Sequence, residues 1–107
     1  MNFNRIPIET LINPKINDAF KLVRNAIEKK KTVLIVGLCR VDYEGRASST
    51  LDYGERIVII KIDGSIQVHR PWEVNPVNWQ PPGCIFHVNL TRENLLRIRA
   101  IRKLSLI

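Results

Sequence analysis

Cysteine, histidine and carboxylates are scarce in this chain of 107 residues: two cysteines, two histidines and ten Asp or Glu, against seventeen Lys or Arg. Cys39 and Cys84 are too far apart for a CxxC metal or redox motif. Cys39 lies in the apolar run Thr32–Val41, where a cysteine usually acts as a small buried hydrophobe, so the pattern favours two thiols over a disulfide. No apolar stretch approaches the roughly 18 residues of a membrane span. The opening Met-Asn-Phe-Asn-Arg-Ile-Pro has no signal-peptide layout. A cytoplasmic protein without a membrane partner is therefore expected. There is no internal repeat, low-complexity tract or linker, and the length fits one domain with a modest core.

The shortage of acids also bears on chemistry. Metal-nuclease catalysis needs several carboxylates around a divalent ion, commonly with a lysine beside them. Glu28-Lys29-Lys30 spells a bare E-x-K string, but it falls at a helix end with no paired aspartate-bearing strand before it. Ser48-Ser49-Thr50 has no base nearby and is no credible nucleophile. His69 and His87 stand at alternating strand positions without a carboxylate pair. No catalytic residue, metal ligand or cofactor is expected in this chain.

What is abundant is positive charge, and it is unevenly placed. Lys15–Lys31 holds six basic and two acidic residues, and Arg92–Lys103 five basic and one acidic, whereas Arg40–Glu73 holds five basic and six acidic. Two separate basic zones suit a polyanion such as nucleic acid. They also suit a solvated helix end and an arginine-rich strand face, and charge alone leaves both readings open.

Periodicity predicts one helix. Asn13 can cap it, Pro14 suits the first helical position, and Ile16, Ala19, Phe20, Val23, Ala26 and Ile27 recur on one face. Lys29, Lys30 and Lys31 close it where the helix dipole favours cations. Strands follow: Thr32–Val41 with Gly37 as a candidate bulge or close-approach point, a turn over Asp42–Gly45, a strand edge or loop over Arg46–Leu51, and a strong strand at Ile57–Ile62. Asp63-Gly64 reads as a two-residue hairpin turn into the alternating stretch Ser65–Arg70. Pro71–Gly83 reads as a loop. Cys84–Leu90 alternates. Leu95–Arg102 is ambiguous: Leu96, Ile98 and Ala100 at period two argue for a strand with Arg97 and Arg99 on the opposite face, whereas Leu95, Ile98 and Ile101 could sit on one face of a helix. The strand is preferred, as a hairpin partner through Thr91–Asn94. The expected fold is α+β, mainly β: an antiparallel sheet curled into a half-barrel or sandwich, with one N-terminal amphipathic helix.

The loop carries four prolines and both tryptophans. A tryptophan flanked by arginines can hold an unstacked base, the ring stacking and the guanidinium taking phosphate. Equally, Trp72 and Trp79 could lid the core. The segments YEGRASSTL (Tyr43–Leu51) and GERIVIIKIDGSIQVHRPWEVNPVNWQPPG (Gly54–Gly83) sharpen the choice. In this order they resemble the N-terminal domain of the archaeal NucS (EndoMS) mismatch endonucleases. The resemblance implies a domain that dimerises and binds DNA, mismatched or else single-stranded or branched. In the family a metal-dependent nuclease domain, using Mg²⁺ or Mn²⁺, follows such a domain; it is absent from this chain, which is either an excised domain or a shortened relative, and a sliding clamp would be a partner of that absent part. By the same resemblance Trp79 stacks on a flipped base and Asn78 contacts it. Arg46 and Arg70 are DNA-contacting arginines, Ser48 and Ser49 approach the mismatch, and Tyr43 is a weaker match. Arg97 and Arg99 are expected to add phosphate contacts. Trp72 departs from the family pattern, and packing under the loop is favoured for it. Single-stranded or flap DNA binding without mismatch preference, and a plain dimerisation module, remain as alternatives.

Overall fold

The computed structural model describes residues 1–45 and 48–102. One helix, α1 (Ile16–Glu28), precedes six strands: β1 (Val33–Tyr43), β2 (Ser49–Ile60), β3 (Ile66–His69), β4 (Asn78–Gln80), β5 (Cys84–Leu90) and β6 (Leu96–Arg102). The first four form an antiparallel sheet in the order β1-β2-β3-β4, and β5-β6 form a two-stranded antiparallel ribbon. This is the mainly β, open architecture expected from the sequence. The helix starts two residues later than its cap signal suggests. Lys15 is the N-cap and makes no side-chain cap bond, while Asn13 takes a left-handed conformation at φ 48°. The apolar face is as read: Val23 is buried, and Ile16, Ala19, Phe20, Ala26 and Ile27 are half-buried.

Alternation along the paired strands sorts side chains between two faces. Val33, Ile35, Cys39 and Val41 of β1, Val58 and Ile60 of β2, and Ile66 and Val68 of β3 point inward, toward Phe86, Val88, Leu96 and Ile98 of the ribbon. Val23, Ala26 and Ile27 of α1 join this core. The sheet and the ribbon thus face each other across a thin apolar layer, in which Ile60 is the most enclosed residue at 2% exposure. Cys39 and Cys84 are both free thiols, and burial pushes the Cys39 thiol up despite the nearby Arg56 cation.

Both tight hairpins are closed by three-residue loops. Gly64 N–H donates to the Lys61 carbonyl and Lys61 N–H to that of Ser65. Gly64 adopts φ 85°, the left-handed position of a type I turn followed by a bulge. Asp63-Gly64 therefore marks a turn one residue longer than its sequence signal implies. Asp63 accepts hydrogen bonds from the Ser65 hydroxyl at 2.6 Å and its N–H at 3.0 Å, and the hydroxyl bond holds the Asp63 carboxyl below its ordinary range. The β5-β6 loop repeats the pattern, with Asn94 in the left-handed position at φ 61°.

The β1-β2 hairpin is longer than the sequence suggests, because β2 begins at Ser49 and runs through to Ile60. Its irregularity is not at Gly37, which pairs regularly with Arg56. The register slips between Cys39 and Val41, where Cys39 faces Gly54 but Val41 faces Leu51. Two residues of β2, Asp52 and Tyr53, thus stand opposite Arg40 alone, and such a bulge bends and twists the strand.

Candidate nucleic-acid interface

The bend decides where the hairpin tip goes. Ser49 lies nine residues from Val58, so in a straight hairpin the tip would stand roughly 30 Å from the row that β3 and β4 share with Val58. Instead Tyr43 and Ser49 line one open cleft of about 340 Å³ together with Val77, Asn78, Trp79 and Gln80. The tip has curled back toward β4. Tyr43 and Ser49 are cross-strand partners, so both side chains project from one face of the tip. The Tyr43 phenol folds over Gly45, where any Cβ would come within 2.6–2.9 Å of the ring and its hydroxyl. A side chain at position 45 would therefore displace this wall.

The opposite wall is β4, a three-residue strand within what the sequence suggests is a continuous loop. It is held by pairing with β3 on one side only. Asn78 and Gln80 are half-buried and face inward, whereas Trp79 is 59% exposed. Trp79 pairs with Gln67, which pairs with Ile59, which pairs with Leu34. Its indole therefore emerges on the outer face of the sheet, at the rim of the cleft, and does not lid the core. Asn78, one residue away, points to the other face. A planar group on the rim could stack on Trp79 while the polar interior offers the Asn78 and Gln80 amides, donors and acceptors both.

The residues singled out by sequence do not all meet here. Tyr43, Ser49, Asn78 and Trp79 come together. Ser48 is exposed just before β2, and Arg46 lies outside the described residues. Arg70 follows β3 and places its guanidinium over the Trp72 ring, 6.0 Å from the centroid. Trp72 is itself 59% exposed, so it is not packed beneath the loop; it forms a cation–π pair on the surface. Arg97 and Arg99 are exposed on the outer face of the ribbon, opposite Asn89 and His87, on the layer away from Trp79. Val77 and Gln80, which line the cleft, had no signal beyond the alternation of Val77-Asn78-Trp79-Gln80 hidden between prolines. Arg56 was also missed. Among the described residues no three His, Cys, Asp or Glu side chains lie close enough to share a metal ion, so these residues do not fit a divalent metal centre.

Fold and cleft together define a small two-layer β domain with an aromatic-rimmed polar cleft at a free strand edge. The chain belongs to the family described as the Endonuclease NucS N-terminal PH-like domain, which matches residues 29–105. It is 36% identical over 96 residues to Endonuclease NucS of Thermococcus kodakarensis, covering 90% of this chain and 38% of that protein. It is 44% identical over 87 residues to Endonuclease NucS of Pyrococcus horikoshii, covering 81% of this chain and 34% of that protein. The chain thus spans little more than a third of the length of these curated relatives. Among solved structures, it resembles an EndoMS–dsDNA complex with a TM-score of 0.78 and 38% identity, over 86% of this chain and 38% of that one.

Proposed function

We propose that this chain is a DNA-binding domain that holds an unstacked base at the Tyr43–Trp79 cleft. The carrying observation is Trp79: a large indole standing 59% exposed at the rim of a cleft lined by polar side chains. Leaving such a ring in water forgoes apolar burial, and stacking on a base would recover about 1–3 kcal/mol. A mismatched base costs less to unstack than a paired one, so a rim of this kind selects for mismatches. Arg70, which follows β3, serves the phosphates without reading sequence, whereas Arg97 and Arg99 stand on the far layer and take no part at this cleft. The relation to an EndoMS protein solved with double-stranded DNA supports this reading. A two-fold dimer would offer one cleft to each base of a mismatch. Where a metal-dependent nuclease domain accompanies such a domain, it would receive the DNA held here.

Competition at fixed salt tests it. A labelled duplex with a G·T mismatch should be displaced by unlabelled mismatched duplex at far lower concentration than by matched duplex. Equal competition by both, with stronger competition by single-stranded DNA, would replace mismatch capture by single-strand binding. Dimerisation with no salt-dependent binding of any of these DNAs would leave a dimerisation module.

A further inference from the structure

One wall of the cleft is the tip of the long β1-β2 hairpin and the other is β4, and something must hold the bend that brings the tip to β4. Arg56 occupies that place. It lies on the inward face of β2, opposite Gly37. At 7% exposure it is the buried charged residue among those described. A guanidinium taken out of water is normally met by a carboxylate, yet the ion pair found among the described residues is Arg40–Asp42, elsewhere on the hairpin. Arg56 instead turns back along its own strand. Nη1 donates to the Glu55 carbonyl at 2.9 Å and Nη2 to the Asp52 carbonyl at 3.2 Å, while Nε has no partner among the described residues. Asp52 is one of the two bulge residues. The guanidinium lies directly over Gly54, where a Cβ would collide with Nη1 and come within 2.8 Å of Cζ.

We propose that Arg56 is a positioning residue of the cleft: tied to the carbonyls on either side of Gly54, it holds the bend of the β1-β2 hairpin and so sets the Tyr43–Ser49 wall against β4. A planar fork suits this task, because one rigid group reaches both carbonyls at once. A lysine ammonium would satisfy one and leave the strand free to hinge about the bulge. The glycine is the complement of the clamp, since any larger residue at 54 would push the guanidinium off the strand. The consequence for DNA rests on the base-holding reading above; the consequence for the hairpin does not.

The test uses Arg56→Met, Arg56→Lys and Gly54→Ala in the full chain. Methionine fills much of the same volume without a charge, and replacing a buried charge by an apolar group is often neutral or stabilising. Melting should therefore be unchanged or raised in Arg56→Met. Amide exchange followed by NMR should quicken about tenfold or more over residues 49–53 and stay unchanged over residues 57–60 in all three variants, as expected when one end of a hairpin loosens locally. Mismatched-duplex affinity should fall about tenfold with matched-duplex affinity retained, the effect of a site left too loose. Should Arg56→Met not fold, Gly54→Ala displaces the same clamp with the charge kept. Unchanged exchange over 49–53 overturns the proposal. So does loosened exchange with full mismatch affinity, provided Trp79→Ala does reduce that affinity. If Trp79→Ala has no effect either, the base-holding reading falls, and the exchange data alone decide whether Arg56 holds the wall.

Discussion

Trp72 and Trp79 are equally exposed, at 59% each, but they stand in different settings. Trp72 has the Arg70 guanidinium over its ring. Trp79 has an open cleft beside it. Because its indole leaves the outer face of the sheet, truncation creates no cavity in the core. Trp79→Ala is therefore expected to melt like the parent and to bind mismatched duplex more weakly by about 1–3 kcal/mol, the range for losing one base–aromatic stack. Matched duplex, in which no base is unstacked, should bind nearly as before. Fluorescence anisotropy on both duplexes, with a melting curve on the same sample, separates the outcomes. A folded variant with both affinities intact would make the indole a surface feature without a role in binding.

At the scale of elements, α1 ends in a way its sequence does not advertise. Lys30 N–H donates to the Ile27 carbonyl and Lys31 N–H to that of Ala26, the paired bonds of a Schellman cap. The residue that must turn left-handed there is Lys30, at φ 54°, where glycine would pay no Cβ penalty. Lys30→Gly should stabilise the domain by about 1 kcal/mol, read as a higher melting temperature or urea midpoint; a lower midpoint would show that the lysine contributes something the cap geometry does not capture. The sequence revealed that the helix ends at the lysines but not how. Elsewhere legibility followed the strength of alternation. Cys84–Leu90 was readable because Cys84, Phe86, Val88 and Leu90 make one side apolar; Leu96–Arg102 was ambiguous, since Leu96, Ile98 and Ala100 fit a strand while Leu95, Ile98 and Ile101 fit a helix, and the pairing with β5 resolves it as a strand. Asn78–Gln80 was not readable, since three residues between prolines carry no period. The bend at Asp52–Tyr53 has no composition signal; it depends on a register slip that only the pairing with β1 reveals. For the same reason the cleft residues could be named from a resemblance, whereas Arg56, whose hydrogen bonds go to its own strand's carbonyls, could not.

At the scale of the molecule, the core is thin and one outer face is unfinished. The buried apolar residues are Val23, Val33, Val58, Ile60, Val68 and Cys84, mostly small side chains that each contribute only about 1.5–3 kcal/mol on burial. Meanwhile Leu34, Val36 and Leu38 stand 65%, 62% and 76% exposed along the outer face of β1, with Ile59 and Ile57 opposite the first two on β2. β1 is also an edge of its sheet. An apolar row on an edge strand is a liability for a monomer and a natural interface for a pair, because the strand can meet its own copy about a two-fold axis. β2, by contrast, is central in the sheet, so its strong apolar run does not make it a second edge. The expected outcome is a dimer in sedimentation at micromolar concentration. Val36→Lys and Leu38→Lys should each convert it to a folded monomer, since both side chains point away from the core. The monomer should still bind one DNA end or strand but lose the advantage of mismatched over matched duplex, because capture of both unpaired bases needs two clefts. Wild-type protein that sediments as a monomer would remove the two-fold arrangement. A dimer that survives both lysines would place the contact on another surface and leave the β1 row to some other partner.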